Sequence, residues 1–299
     1  MTVSESVQQM EKNRKTLKIW EYVMVGLFVG FFILILVIAF VLPDYAGILI
    51  GVGFGVAFIG VFIASFATSG KKSELRQMYK ETFVAPLLQE YFVHPSYQYE
   101  LGFSRDVVAS FQLAVMSNVF RSSDYLTGTC KGIPFCQADV KISHRMQGRN
   151  GKGGRTIPYF RGRMFIFELP GRKVQPVSIF SKNFKYADKQ QAGNGLGLFQ
   201  TGNAALDCNV DVMAVDGQDI SYLLTPQMVD QILQLHNVYG DLGMNFRNEK
   251  LYLCFHCEWD ALDADMKQPI EYQQEREKMQ HDLQPILDMA EALNSIPQR

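Results

Sequence analysis

The residues with the most chemical promise lie in one short stretch, Cys254-Phe255-His256-Cys257-Glu258. A Cys-x-x-Cys spacing suggests zinc binding or thiol redox work. If the stretch is a strand, however, its side chains alternate, so Cys254 and His256 share one face and Cys257 takes the other. A zinc knuckle needs thiolates that converge, usually from a turn, and a second ligand pair. No second Cys-x-x-Cys exists, but Cys130 and Cys136 flank a Gly-x-Pro turn and His144 follows. The metal reading is therefore a composite site of Cys130, Cys136, Cys254 and His256. The other reading is buried, inert thiols. The five cysteines are odd in number, and in a reducing compartment no disulfide is expected.

Other chemistry finds less support. The sequence has neither a Gly-x-Ser-x-Gly elbow nor a His-Glu-x-x-His helix. Glu258, Asp260, Asp263 and Asp265 form an acidic stretch without the spacing or glycine of a calcium loop, so it reads as a solvated turn rather than a cation site. The glycine-rich run from Gly148 to Arg155 matches no phosphate-binding loop. Gly193-Asn194-Gly195-Leu196-Gly197 lacks dinucleotide spacing. No catalytic residue and no cofactor is assigned, which leans away from an enzyme.

Charge gives the next signal. Residues 141–189 carry twelve Lys and Arg against two Asp and Glu, while residues 204–299 carry 17 acidic against six basic side chains. A basic middle and an acidic end either cover each other or leave a basic face for anionic lipid. In the lipid reading the contacts come from Arg145, Arg149, Lys152, Arg155, Arg161 and Arg163. Nucleic acid is not expected as a partner, since no known reader module is present.

These groups must be held by elements on a membrane anchor. Ile19–Leu42 and Tyr45–Thr68 are apolar runs of about 24 residues, separated by Pro43-Asp44. A helix of that length exceeds the roughly 30 Å hydrocarbon core. Lys12, Arg14, Lys15 and Lys18 precede the first run, and Lys71, Lys72, Arg76 and Lys80 follow the second. The positive-inside rule then predicts a multi-pass inner-membrane protein with both termini cytoplasmic. Glu21 is the one charge within either run. Gly26, Gly30, Gly47, Gly51 and Gly55 have the spacing that lets helices approach closely, either within the hairpin or between copies of the chain. With no polar lining, a channel is not expected.

The remaining chain predicts an α+β fold in which helices flank a mostly antiparallel sheet. Helices are expected over Ser73–Phe92, Ser104–Val119, from Thr225-Pro226 to Gly240, and over Pro269–Asn294 with a kink at Pro285. Strands are expected over Tyr125–Cys130, Ile133–Ser143, Thr156–Leu169, Val174–Phe180, Val210–Val215 and Ile220–Leu224. Leu242–Phe246 and Lys250–Cys257 form a further hairpin of strands. Tyr186–Gly202 reads as a flexible connection. The expected organisation is a basic tail (1–18), the hairpin (19–68), a helical stalk (69–119), the α+β domain (120–268) and a C-terminal helix (269–299).

Four motifs carry a family resemblance: Phe120-Arg121-Ser122-Ser123-Asp124-Tyr125, Phe160-Arg161-Gly162-Arg163-Met164-Phe165-Ile166-Phe167, Leu224-Thr225-Pro226 and Lys250-Leu251-Tyr252-Leu253. With the order of elements, they resemble the bacterial domain-of-unknown-function 3137 family, over the hairpin and most of the part that follows. The resemblance implies a membrane-anchored cytoplasmic α+β domain and no transferable activity. The cysteines near Cys254 depart from the usual pattern of that family. The resulting expectation is a module that binds an unidentified cytoplasmic or membrane protein, or a second copy of itself. A lipid-surface sensor is the alternative, and a membrane-associated enzyme is a third reading.

Overall fold

The computed structural model describes residues 2–41, 46–146, 154–172, 175–187, 189, 196–215, 217–258 and 262–297. The chain divides into two units, residues 1–84 with 263–277, and residues 85–262 with 278–299.

In the first unit, α1 (Val3–Val41) and α2 (Ala46–Tyr79) are both long and apolar enough to cross a membrane. They pack antiparallel, with the rings of Phe31 and Phe54 meeting edge-on at 4.9 Å between centroids. The residues of the expected basic tail form the opening of α1. Thr2 and Glu5 close its end reciprocally: the Thr2 N–H donates to Glu5 Oε2 (2.7 Å) and the Glu5 N–H to Thr2 Oγ1 (3.3 Å). The expected glycine contact differs from what is found. A methyl group added at Gly26, Gly30 or Gly55 would meet nothing within 4 Å, whereas one at Gly53 would lie 2.9 Å from the Phe31 ring. The helices fit a large side chain over a small one, and Gly26, Gly30 and Gly55 face open space. The surroundings of Gly47 and Gly51 lie outside the described residues, as do Pro43 and Asp44.

Residues 263–277 form a strap in this unit. Glu11 Oε2 accepts from the Ile270 N–H at 3.1 Å and from Arg14 Nε at 2.7 Å. Lys80 Nζ, itself buried, pairs with Asp263 at 2.6 Å, and the Tyr79 hydroxyl donates to Glu275. The Arg14 guanidinium, aided by the Ile270 amide, holds the Glu11 carboxyl at about 2, down from 4.5. A depressed carboxylate pKa contributes stability above the unfolded value and loses it as pH falls through the folded one. Acidification from pH 4.5 towards 2 is therefore expected to loosen the strap. Glu11→Gln should remove that pH step and speed exchange of the Ile270 amide at neutral pH by about tenfold. Hydrogen exchange resolved at Ile270 checks both.

Among the described residues the second unit is built on a nine-stranded sheet in which every pairing is antiparallel. Its strands are β1 (Val93–Gln98), β2 (Val119–Cys130), β3 (Ile133–Arg145), β4 (Thr156–Glu168), β5 (Val177–Ser181), β6 (Gly197–Phe199), β7 (Val210–Ala214), β8 (Leu242–Arg247) and β9 (Lys250–His256). Their order across the sheet is β1-β2-β3-β4-β9-β8-β5-β7-β6. The helices are α3 (Ala85–Tyr91), α4 (Arg105–Phe111), α5 (Ala204–Asn209), α6 (Gly217–Leu223), α7 (Pro226–Tyr239) and α8 (Tyr272–Asn294), whose first turns belong to the strap.

On one face of the sheet, Val108 and Phe111 of α4 pack with Leu113, Val140, Ile142, Phe160, Met164, Cys254, Phe184 and Tyr186. On the other, Tyr239 of α7 stacks on Phe255, and Phe255 meets Phe165.

Most expected elements are present, with four corrections. The stalk helix gives way to a π-helical turn at Lys80–Val84, directly before α3 with Pro86 in its first turn. Proline lacks an N–H and crowds the preceding turn, and the wider π turn absorbs both. The helix from Ser104 stops at Phe111 rather than Val119. Asn245 Nδ2 donates to the Phe111 carbonyl at 2.8 Å and Arg247 to the Ser110 carbonyl, so the sheet takes the carbonyls that would continue it. Val119 instead opens β2. Ile220–Leu224 is not a strand but falls within and just after α6, and the supposed connection Tyr186–Gly202 contains β6.

The turns follow the sequence closely. Thr225 caps α7 by accepting from the Met228 N–H (3.2 Å), with proline at the start of the helix. Asn248 and Glu249 both take positive φ, as a two-residue β-hairpin requires.

Candidate functional site

β4 continues past the end of β9, since its pairing with β9 runs only as far as Gly162 and His256. The overhang leaves a notch of about 700 Å³, lined among others by Tyr159, Arg161, Lys185, Tyr186, His256 and Glu258. Its walls are stacked rings. Tyr186 lies on His256 at 5.5 Å between centroids, and Tyr159 on His144 at 5.8 Å. Lys185 sits over the Tyr186 ring at 5.5 Å. The strand places Tyr159, and a backbone bond from the Val115 N–H to the Tyr186 carbonyl (2.7 Å) fixes the loop opposite.

The polar groups of the notch hold one another loosely. His256 Nε2 lies 3.0 Å from Glu258 Oε1, Arg161 pairs with Glu258 at 3.8 Å, and Lys185 with Asp241 at 3.9 Å. The Tyr186 hydroxyl donates to Asp241 at 3.2 Å. Burial and then the Asp241 carboxylate push the Tyr186 phenol well above its usual range, so it stays protonated. An imidazole beside a carboxylate resembles half of a general-base pair, but among the described residues no serine, threonine or cysteine lines the notch. The arrangement suits binding: two cations, donor and acceptor groups, and ring faces.

Two serine–histidine pairs, absent from the sequence reading, occur elsewhere. Ser181 Oγ lies 3.0 Å from His236 Nδ1, donates to the Gly240 carbonyl (2.7 Å) and accepts from the Leu242 N–H (3.0 Å). Its one proton is committed to Gly240, so His236 donates to it and cannot act as its base. Ser181 is also 1% exposed, which leaves no path for a substrate. Ser117 and His144 are 3.0 Å apart beside the notch, with no carboxylate to orient the ring among the described contacts.

The sequence-predicted site residues are dispersed. Cys130, Cys136, Cys254 and His256 do not assemble, and among the described residues no group of three or more His, Cys, Asp or Glu could hold a metal ion. Cys254 and His256 do share a face, Cys254 within the core and His256 at its edge in the notch. Burial pushes the Cys130 and Cys136 thiols up to about 11 and Cys254 further still, away from the thiolate that metal or nucleophilic chemistry requires. Of the five cysteines Cys208 is exposed, Cys136 is partly covered and the other three are buried. A maleimide at pH 7 is expected to label Cys208 quickly in the native chain and all five after denaturation. Mass spectrometry of the labelled protein checks this.

In the acidic stretch, Asp263 is engaged by Lys80, and Asp265 accepts from the Lys267 N–H (2.9 Å). Asp260 lies outside the described residues, as do Arg149 and Lys152. Of the predicted basic face, Arg145 and Arg155 are exposed and Arg161 lines the notch. Arg163 is a correction: it is 2% exposed, lies 3.7 Å from Asp139 and donates to the Asp282 carbonyl, so it cannot meet a headgroup. Other lysines of the basic segment turn inward to the acidic one. Lys182 and Lys189 each hold Asp211 at 2.7 Å, and against the effect of burial they keep its carboxyl below the usual range. The charge segregation is thus in good part internal pairing.

The family resemblance holds for the C-terminal part. Residues 159–295 match the family described as "Protein of unknown function (DUF3137)", which supports the assignment for that part of the chain; the hairpin and the first three strands lie outside the match. No curated protein matches the chain. Among solved structures, the crystal structure of the mycobacterial trehalose monomycolate transport factor A, TtfA, is similar with 11% sequence identity and a TM-score of 0.37. That likeness covers 69% of this chain and 90% of that one.

Proposed function

We propose that this DUF3137 protein is a membrane-anchored binding module. In this reading α1 and α2 cross a bacterial inner membrane, both termini lie in the cytoplasm, and the sheet unit captures a protein partner in the notch at the end of β9. The reading rests on the kinds of surface left uncovered. On the hairpin these are large rings, Phe58 at 75% and Phe66 at 80% exposure among them. Leaving such area in water costs roughly 25 cal/mol per Å², which lipid removes. On the sheet unit the notch joins exposed Val115 and Tyr159 to Arg161 and Lys185, the mixture of apolar, aromatic and arginine groups typical of interface centres.

The alternative is contact of the exposed Arg145 and Arg155 with anionic lipid. The open faces at Gly26, Gly30 and Gly55 also leave room for a second copy of the chain.

A photo-crosslinking residue placed at Tyr159 in the full chain, in native membranes, tests the partner. A discrete adduct at 159, absent from the same probe at exposed Val238 and lost in Arg161→Glu, is the expected result. No adduct at 159 overturns the reading. Salt-sensitive flotation with anionic vesicles that survives in Arg161→Glu but fails in the Arg145→Ala, Arg155→Ala double variant would favour lipid instead.

A further inference from the structure

A cleft of about 330 Å³ opens between α1 and α2 where their apolar stretches end, lined by Lys18, Trp20, Glu21, Ser65, Thr68 and Lys72 over an apolar floor. Two of these side chains are unexplained by the fold. Glu21 and Lys72 have no hydrogen bond or ion pair among the described residues. An unpaired carboxylate one turn inside an apolar run is unfavourable in lipid and marks a function with a partner. Side chains on a helix lean towards its N-terminus, so Glu21 on α1 leans out of the apolar layer and Lys72 on α2 leans into it. Both therefore aim at the level of the headgroups. Lys18 spends one N–H on the Lys267 carbonyl (2.9 Å) and retains two.

We propose that this cleft seats the headgroup of an aminophospholipid, with the phosphate on Lys18 and Lys72 and the primary ammonium on Glu21. The charges select this chemistry. A purely anionic headgroup satisfies the lysines but is repelled by Glu21. A trimethylammonium group satisfies the charge of Glu21 but has no N–H to donate. An aminoethyl phosphate satisfies all three, and its acyl chains continue along the exposed apolar faces of the hairpin. Trp20, a ring with an N–H, belongs at that depth in a bilayer. This inference rests on the anchoring reading above and adds a ligand to it.

The chain has two tryptophans, so Trp259→Phe leaves Trp20 as the sole tryptophan, excited selectively over the tyrosines. The full chain is reconstituted in phosphatidylcholine nanodiscs. Each carries a minor fraction of bromine-chain lipid, as phosphatidylethanolamine, phosphatidylglycerol or phosphatidylcholine. The ethanolamine lipid is expected to reach Trp20 at about three to ten times its random share. Glu21→Gln should erase the preference over phosphatidylcholine, and Lys72→Ala should weaken it. Equal quenching by all three lipids, or a preference for phosphatidylglycerol that ignores Glu21→Gln, overturns the site and leaves the anchor standing. Quenching by none of them overturns the anchor itself. Displacement by soluble O-phosphoethanolamine, without any lipid preference, would assign the cleft to a free metabolite and overturn the lipid.

Discussion

Replacing Arg163 by alanine is expected to destabilise the sheet unit by about 3–5 kcal/mol, more than any other removal of a charged side chain in that unit. Arg163 stands in the middle of β4, 2% exposed, paired with Asp139 of β3 and donating to the Asp282 carbonyl of α8. Burial alone would disfavour its charge, but the Asp282 and Asp139 carboxylates more than offset this, so the guanidinium stays charged. Truncation leaves both carboxylates, themselves nearly buried, facing a cavity. The penalty is that of an uncompensated buried charge added to lost packing, which is why it exceeds the loss of a surface pair. Thermal unfolding of the full chain in detergent, with exchange followed at β3, β4 and α8, checks it. A loss below about 1 kcal/mol would mean that water reaches the site and that the pair is effectively a surface one. Arg161→Ala, two residues away and half-exposed, is the internal control and should cost under about 1 kcal/mol.

That contrast shows what the sequence could convey. Arg161 and Arg163 alternate with the core residues of β4 in the same motif, and composition treats them alike. Their fates differ because β9 ends beside Arg161, whereas α8 covers Arg163, and a helix more than a hundred residues away has no local signature. Elements whose signals are local were legible: Thr225-Pro226 as a helix start, Asn248-Glu249 as a turn, the two apolar runs as long helices. Elements decided by tertiary capture were not. The helix at Ser104 stops early because Asn245 and Arg247 of β8 take its last carbonyls. The notch is the extreme case. His256 and Glu258 came to notice as metal or cation candidates, but Tyr186 sits in a loop read as a connection, and only the sheet brings that ring onto His256.

Gly162→Ala is expected to disrupt the same strand more sharply than its single added methyl suggests. Gly162 lies between Val140 of β3 and His256 of β9. A Cβ there would lie 2.0 Å from the Phe255 carbonyl oxygen and 3.0 Å from its carbon. Those are backbone atoms of a paired strand, so no side-chain rotation relieves the overlap, and β9 must move from β4. Overpacking against mobile side chains costs about 1–3 kcal/mol, and a backbone obstacle belongs at or above the top of that range. The displacement has a specific consequence. The Cys257 N–H donates to the Arg161 carbonyl at 3.1 Å across this crossing, and His256 beside it forms one wall of the notch. Gly162→Ala should therefore lose the Tyr159 crosslink along with stability, whereas Arg163→Ala, acting through the opposite face, should lose stability first and retain the crosslink in whatever fraction stays folded. Equal crosslinking in folded Gly162→Ala and in the parent would show that the partner does not read the end of β9.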